Sequence, residues 1–223
     1  MYRFIRSFVL LFGVLVFASV LAQNNSNSEE VSDYDSILNK IQTSIDCDRE
    51  TAEAFLGLIE NFAVKIQAEF TYLASSPDEL AIKQKSIKST IKKYFESENS
   101  LVSVSNVNRK PIYDYEVKVY LYRLATLIHY KYTKVELLFD PDYLGISKFE
   151  RIGPTSFELS VSMWQLFRGW VGYELVYEDA TRKKFRLRVH ILSSGKVELK
   201  ISEILVAETI PYERYKSKFK SDQ

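Results

Sequence analysis

Apolar residues recur at steps of three and four through most of the N-terminal half of the chain, which is the spacing of an amphipathic helix. One stripe runs from Val31 to Ile45, a second from Ala52 to about Ala74, and a third from Leu80 to Phe95. Asp48 lies where the second helix needs a cap, and Ser76–Glu79 has the pattern of a capping box with proline at the first helical position. This half is therefore predicted to be helical.

The C-terminal half alternates apolar and polar residues instead, which is the period of a strand with one buried face. Ser160–Trp170, Lys184–Ile191 and Val197–Ile201 alternate in this way, with a polar turn predicted at Asp179–Arg182 and a hairpin turn at Ser193–Lys196. Helices followed by antiparallel strands predict the α+β fold class. The other predicted elements are strands at Asn99–Val107, Tyr132–Phe139 and Leu144–Ile152, a turn at Asn106–Pro111 and a helix at Tyr115–Ile128.

Met1–Ala22 has the three parts of a secretory signal peptide. Arg3 and Arg6 precede an apolar run from Phe8 to Phe17, and Ala18–Ala22 supplies small and aliphatic residues for cleavage after Ala22. The apolar run is shorter than the roughly 20 residues of a spanning helix, which favours cleavage over a retained membrane anchor. The sequence therefore predicts export to the periplasm or the cell exterior.

Four segments are predicted after the signal peptide. Gln23–Ser32 is rich in Asn, Ser and Glu and is expected to be a disordered leader. Residues 33–75 form a helical annex, and residues 76–210 form the α+β domain. Residues 211–223 are a basic tail, and Lys216–Lys220 within it is expected to be disordered.

Charge and composition exclude several classes of function. Without the signal peptide the chain has 28 Lys and Arg against 29 Asp and Glu, so it lacks the positive excess of a nucleic-acid-binding protein. Cys47 is the single cysteine, and His129 and His190 are the two histidines, so no disulfide within the chain and no Cys/His metal set are expected. No phosphate-binding glycine loop or Ser-His-Asp pattern is present. We therefore expect no nucleic-acid partner, no metal and no cofactor.

The order of elements resembles a known superfamily. Ile91–Ser105, the helix Tyr115–Leu124, and the meander segments Tyr177–Lys184 and Val197–Ile204 carry the resemblance. They are similar to the nuclear transport factor two-like (ketosteroid-isomerase-like) superfamily, and more narrowly to uncharacterised secreted members from Bacteroidetes-type bacteria. The resemblance covers about residues 78–208. It implies a curved antiparallel sheet wrapped on a helix into a cone, often as a homodimer.

No catalytic residue is carried over from this resemblance. The isomerase members hold an aspartate base and a Tyr/Asp oxyanion hole inside the cone, but no position of this sequence matches them residue by residue. The histidines are explained by a helix end at His129 and by a polar strand face at His190. The candidate pocket carboxylates are assigned to turns or other structural positions: Asp114, Asp140, Asp142 and Asp179.

The aromatic residues are the best candidates for a site, because 14% of the chain is Phe, Trp or Tyr. Small-ligand pockets are commonly apolar with a few polar groups, and the alternative for these residues is plain core or an interaction surface. The candidate pocket-lining residues are Tyr120, Trp164, Phe167, Trp170 and Tyr177. The third helix also carries a lysine face, interpreted as a solvated surface or, less favourably, as a contact for anionic membrane: Lys83, Lys85, Lys88, Lys92 and Lys93.

Two functions remain open at this point. The first is a non-enzymatic binding or protein-interaction module of the cell envelope, with a small apolar ligand, an envelope protein or a second copy of the chain as partner. The second is a small-molecule isomerase-like or dehydratase-like enzyme that uses an acid/base pair in a pocket. A carboxylate or histidine inside the cone beside a tyrosine hydroxyl would favour the enzyme.

Overall fold

The computed structural model describes residues 28–147, 149–194 and 196–219. The predicted signal peptide and the start of the predicted leader lie outside these residues. The helices are α1 (Ser28–Ile45), α2 (Arg49–Ser75), α3 (Leu80–Tyr94), α4 (Val117–Ala125), α5 (Leu127–Tyr130) and α6 (Tyr212–Phe219). The strands are β1 (Leu101–Asn106), β2 (Arg109–Glu116), β3 (Lys134–Ile146), β4 (Glu150–Gly153), β5 (Ser156–Val171), β6 (Glu174–Ile191) and β7 (Val197–Ile210). No described helix is both long and apolar enough to cross a bilayer.

The three N-terminal helices lie where the apolar stripes predict them, but some of their ends differ from the predicted ones. Asp48 caps α2 as expected, since its carboxylate accepts a hydrogen bond from the Thr51 amide at 2.9 Å. The sequence predicts a disordered leader up to Ser32, whereas α1 begins at Ser28. The predicted capping box is wrong: the Ser76 hydroxyl accepts from the Asp78 amide at 3.1 Å in a local turn, and α3 begins only after Glu79.

Seven strands form one sheet in the order β2-β1-β7-β6-β5-β3, with β4 paired to β5. All the pairs are antiparallel except β1 with β7, which run parallel through Leu101 and Val102 opposite Glu203 and Ile204. The sheet is therefore mixed, within the α+β class that the sequence predicts. Long strands dominate it, because β5, β6 and β7 have 16, 18 and 14 residues.

The polar segment Asp179–Arg182 is not a turn, and that prediction is wrong. Asp179 pairs with Phe167 and Arg182 with Trp164 on β5, so β6 continues without a break. A strand tolerates these polar residues because its alternate side chains face different surroundings. The predicted break after Phe139 is likewise an irregularity within β3, between Asp140 and Gly145. The missed strand β2 occupies the region assigned to a turn and to the start of a helix.

The inner face of the sheet is covered by α2 and α4. Phe70 of α2 packs edge-on against Tyr120 of α4, with ring centroids 5.7 Å apart, and against Phe139 of β3 at 6.3 Å. Phe139 continues the contact to Phe185 of β6 at 5.6 Å. Leu38 of α1 belongs to the same buried cluster. Since apolar burial is the main stabilising term in folding, this cluster of aromatic and aliphatic side chains holds the helices to the sheet.

The outer face of the sheet carries α6 where the sequence predicts a disordered tail. Tyr215 is only 1% exposed and packs on Trp164, with ring centroids 5.3 Å apart. Ala180 and Ile210 complete this second buried cluster. Asp140 of β3 accepts a hydrogen bond from the Tyr215 hydroxyl. The expectation of disorder over Lys216–Phe219 is therefore wrong. The many basic residues of the tail make its inward-facing aromatic residues difficult to recognise in the sequence.

Tyr215→Phe is expected to lower the free energy of unfolding by about 1–2 kcal/mol, the usual worth of a hydrogen bond to a charged or buried acceptor. The ring packing on Trp164 is retained in this variant, so the loss reports the hydroxyl alone. Urea unfolding followed by tryptophan fluorescence measures the change. Tyr212→Phe, on the same helix, is the control, and an equal loss in both variants would contradict a specific role for the Tyr215–Asp140 contact.

A buried lysine joins the ends of two helices. Lys83 of α3 has no solvent exposure, and its Nζ donates to the backbone oxygens of Leu73 and Ala125, each at 3.0 Å. These carbonyls lie in the last turns of α2 and α4, where backbone oxygens have no hydrogen-bond donor within their own helix. Burial lowers the pKa of the Lys83 ammonium. Lys83 therefore does not belong to the exposed lysine face, and contact of the remaining four lysines with an anionic membrane stays a prediction.

Candidate functional site

Four successive inward-facing residues of β6 are polar, next to a large apolar core on the same face of the sheet. They are Tyr177, Asp179, Thr181 and Lys183, which we call the inner stripe. Further along the same strand face, Phe185 and Leu187 are buried in the apolar core. Because β6 is continuous, strict alternation carries the inner stripe onto the same side as that core. The inner face is thus divided into a polar end and an apolar end.

Asp179 is the most unusual group of the inner stripe. It is 4% exposed, and its carboxylate accepts a hydrogen bond from the Tyr177 hydroxyl. Burial raises the pKa of Asp179 from 3.8 to about 6, although the hydrogen bond from Tyr177 and the charge of Lys183 act in the opposite direction. Burial and the contact with Asp179 also raise the pKa of Tyr177. Tyr177 therefore stays a neutral donor while Asp179 changes its protonation state near neutrality.

Lys183 is the second ionisable group of the inner stripe and is also 4% exposed. Its Nζ donates to the backbone oxygen of Ser103 on β1 at 2.7 Å. Burial lowers its pKa from 10.5 to about 8, and the charge of Asp179 partly offsets that effect. In the described part of the chain the two groups act on each other electrostatically without a direct salt bridge. A base and a cation are thus held apart on one buried face.

Hydroxyl groups lie between the base and the cation. Thr181 is buried, and its Oγ1 lies 3.1 Å from Oγ1 of Thr209 on β7. Thr209 in turn shares a short hydrogen bond with Ser105 of β1. Gln165 of β5, which pairs directly with Thr181, is also buried. This part of the interior therefore offers neutral donors and acceptors beside the two charges.

Three aromatic rings form a rim where the inner stripe approaches the surface. Phe167 lies between Tyr132 and Tyr177, with ring centroids 5.9 and 5.8 Å away. We call these three residues the aromatic rim. Tyr132 lies against Gly169, where an added Cβ would come within 2.5 Å of the ring. Glycine at this position allows the ring to pack directly on the backbone of β5.

Two of the five predicted pocket-lining residues meet at the rim, namely Phe167 and Tyr177. Tyr120 also faces inward, but it is packed on Phe70 deeper in the core. Trp164 lies on the outer face beneath α6, and Trp170 lies under the Lys134 ammonium, 4.4 Å from its ring centroid. The structure therefore does not bring the five residues into one pocket. The assignment of Phe167 and Tyr177 to a ligand site stays a prediction.

Sequence reasoning names Asp179 as a candidate carboxylate but assigns it to a turn, and it does not select Lys183, although the sequence contains a signal for both. Because Lys183 stands between Arg182 and Lys184, the sequence indicates a charged, outward-facing strand surface at this position. The inward set Phe185, Leu187 and Val189 is evident from the alternation, and its period of two extends backwards to Lys183, Thr181 and Asp179. The turn predicted at Asp179–Arg182 ends the strand too early, so the alternation is not followed back to these residues. A run of inward polar residues in phase with core residues is therefore the pattern that indicates this site.

The other ionisable candidates have partners outside the inner stripe. Arg188 and His190 meet Glu96 on the outer face, with N–O distances of 2.7 and 3.5 Å. Asp114 is exposed and accepts from the Ser103 hydroxyl at 2.6 Å. The side chain of Asp142 lies outside what the structure describes. Among the described residues, no cluster of three or more His, Cys, Asp or Glu side chains is placed to hold a metal ion.

A small apolar cavity lies between α2 and the sheet, next to the inner stripe. Met163, which pairs with Lys183 across β5 and β6, lines one side of it. All of its lining residues are apolar and it has room for about one water molecule, so it is a gap in the packing and not a ligand site. Its other lining residues include Ile59, Phe62, Ile66, Phe139 and Phe185.

No protein-family model matches the chain, and no curated protein has a matching sequence. Solved structures do resemble it. A protein provisionally identified as a scytalone dehydratase, from Novosphingobium aromaticivorans DSM 12444, has 12% identity and a TM-score of 0.37 over 70% of this chain and 89% of its own. An NTF2-like protein with a cystatin-like fold from Novosphingobium aromaticivorans has 10% identity and a TM-score of 0.37, over 70% and 87%. A hexachlorocyclohexane dehydrochlorinase has 9% identity and a TM-score of 0.37, over 69% and 89%.

These structures include NTF2-like proteins, the superfamily that the sequence resembles. No residue role, substrate or activity is transferred from them, because the likeness is slight and concerns the fold alone. The narrower resemblance to secreted Bacteroidetes proteins stays a prediction. The α+β prediction is confirmed in this chain's own architecture of helices packed on a mixed sheet.

Proposed function

We propose that this protein catalyses proton transfer on a small, largely apolar molecule, with Asp179 as the base. One observation carries the proposal: the buried Asp179 carboxylate accepts a hydrogen bond from the Tyr177 hydroxyl on the same strand face as the buried Lys183. A carboxylate beside a tyrosine hydroxyl inside the cone distinguishes an isomerase-like or dehydratase-like site from a purely apolar interior. The combination of burial and perturbed protonation is typical of functional groups.

Asp179 has the properties that a general base needs. An ordinary aspartate is too weak a base to take a proton from carbon efficiently at neutral pH, since a base works best with a pKa near the working pH. Burial brings the pKa of Asp179 to about 6, so the group is ionised at pH 7 and more basic than an exposed aspartate. The Tyr177 hydroxyl fixes the orientation of the carboxylate and leaves its other lone pairs for the substrate.

Lys183 supplies the charge that the reaction requires. Removing a proton from carbon next to a carbonyl group places negative charge on the carbonyl oxygen, and a fixed cation in a dry site stabilises that charge. With a pKa of about 8, the Lys183 ammonium is still mostly charged at pH 7. Its one bond to the Ser103 carbonyl uses one of three N–H donors. The carbon proton passes to Asp179, and the same acid returns it to carbon or to a leaving hydroxyl.

Hydrogen–deuterium exchange at carbon tests this proposal on simple ketones, so the natural substrate need not be identified. Phenylacetone, cyclohexenone and dihydroxyacetone are incubated with the protein in D₂O, and loss of the α-proton signals is followed by NMR. We expect the wild type to accelerate exchange of at least one ketone, with a rate that rises as the pH passes about 6. Asp179→Asn should lower that rate by about 100-fold or more. Equal rates for the wild type and Asp179→Asn with every ketone would refute the proposal.

A second candidate function is a non-enzymatic interaction module of the cell envelope. The observation that favours it is the tip of the β5–β6 hairpin, where Tyr173 is fully exposed and Val171, Leu175 and Val176 are also exposed. Apolar tips of this kind suit protein partners, including a second copy of the chain. Native mass spectrometry of the exported protein, with Tyr173→Ser and Val176→Ser as variants, tests this proposal and cleavage after Ala22 together. A monomer that is unchanged in both variants would exclude self-association through the tip.

A further inference from the structure

Lys131 is a cation fixed beside the aromatic rim. Its Nζ lies 4.8 Å from the ring centroid of Tyr132 and 5.7 Å from that of Tyr177. The backbone is held in place because the amides of Lys131 and Tyr132 both donate to the Leu127 carbonyl, at 2.9 and 3.0 Å. Among the described residues, Lys131 forms no salt bridge with a carboxylate. Its charge is therefore available to a ligand that reaches the rim.

The neighbouring lysine provides a useful contrast. Lys134 also lies over an aromatic ring, that of Trp170, but on the outer face of the sheet. Its Nζ is occupied by Glu136 at 2.8 Å. Two lysines three positions apart thus have the same type of ring contact, whereas only Lys131 lies beside the inner stripe and lacks an acidic partner in the described part of the chain.

The charges of the site favour an anion. The inner stripe and the rim together carry two cations, Lys131 and Lys183, and one carboxylate, Asp179. At neutral pH the buried charges of Asp179 and Lys183 offset each other, and the positive charge in excess is that of Lys131, which is exposed to solvent at the rim. A monoanion balances that excess, whereas a dianion exceeds it and a neutral ligand leaves it uncompensated.

We infer that the ligand of this site is a small monocarboxylate with an aromatic or apolar body, its carboxylate held by Lys131 at the aromatic rim. The inference rests on the proposed function and names the substrate class. The body of such a ligand packs on the half-buried rings of Phe167 and Tyr177, which already contact each other, in the edge-to-face or offset contacts that aromatic groups prefer. Its carbon next to the reacting group then points along β6 toward Asp179, while Lys131 determines which molecules bind.

Matched pairs of compounds test the inference. Phenylacetate and benzoate are compared with phenylacetamide and benzamide for binding to the full chain by ligand-observed NMR at pH 7. We expect the carboxylates to bind at least about fivefold more tightly than the amides, because charge-assisted hydrogen bonds are stronger than neutral ones. Lys131→Gln should remove that preference, and Lys134→Gln should retain it.

Each other outcome overturns the inference in a recognisable way. Equal binding of acids and amides, an unchanged preference in Lys131→Gln, or tighter binding of phenyl phosphate than of phenylacetate each contradicts a monocarboxylate site. If carbon exchange of the ketones still requires Asp179 in those cases, the proposed function stands and only the substrate class is wrong. If exchange and carboxylate binding are both absent in the wild type, both proposals fail.

Discussion

Asp179→Asn is expected to make the protein more stable at pH 7.5, by about 1–3 kcal/mol, while lowering the rate of carbon exchange by about 100-fold or more. The pKa of Asp179 is raised from 3.8 to about 6 in the folded state, and each unit of such a shift corresponds to about 1.4 kcal/mol. Because the folded pKa of this acid is raised, the cost of ionising it is fully present above pH 6 and absent below pH 4. Asparagine keeps an oxygen that accepts from Tyr177 and carries no charge.

Urea unfolding at pH 4.5, 6 and 7.5 measures this effect. The stability advantage of Asp179→Asn should change little between pH 7.5 and 6 and then shrink toward pH 4.5, since the folded wild-type carboxyl becomes neutral there while the unfolded one is still mostly ionised. Asp114→Asn serves as the matched control, because Asp114 accepts from a serine hydroxyl yet is exposed. It should change stability by less than about 0.5 kcal/mol. A pH-independent loss of stability in Asp179→Asn would show that the carboxylate is a structural group instead.

Lys83→Met is expected to destabilise the protein by about 2–4 kcal/mol, because it leaves two buried carbonyls without their donor. The ammonium of Lys83 bonds the backbone oxygens of Leu73 and Ala125, which belong to different helices. Methionine fills a similar volume but donates no hydrogen bond. The variant should therefore separate the hydrogen-bonding role of the lysine from its packing role. Thermal and urea unfolding at neutral pH give the change.

Lys88→Met supplies the comparison for this second variant, since Lys88 is exposed on the same helix. We expect its effect on the free energy of unfolding to stay within about 0.5 kcal/mol. Equal stability of Lys83→Met and the wild type would mean that water or a backbone adjustment replaces the lost bonds. The opposite signs expected at Asp179 and Lys83 distinguish a buried charge that serves chemistry from one that serves the fold.

Periodicity predicts the fold well wherever each element has one apolar face. The stripe of α2 and the alternation of Lys184–Ile191 are where the sequence indicates, because both bury their apolar side against the same core. The helix α6 is not predicted from the sequence because its apolar face consists of Tyr212, Tyr215 and Phe219, and the lysines around them resemble a solvated tail. Tertiary contact with Trp164 stabilises this helix, and no local pattern contains that information.

The site is harder to predict for a physical reason. Polar residues in a row usually mark a turn, and Asp179–Arg182 has that appearance. In the folded chain, β5 and β7 flank the segment and supply a full set of backbone partners, so its side chains are held in the interior despite their polarity. The sequence singles out Tyr177 for its aromatic ring, whereas the hydroxyl contact with Asp179 is the feature that matters for the proposed chemistry.

The parallel pairing of β1 with β7 has a consequence for when the inner stripe is assembled during synthesis. Val102 pairs with Ile204, so two segments from distant parts of the chain must meet before the sheet is complete. Contacts of such long range form slowly in folding. Ser103, which accepts from Lys183, is separated from β6 in the sheet by β7. A nascent chain that has not yet released β7 from the ribosome lacks the strand between β1 and β6 and therefore cannot hold this lysine in place.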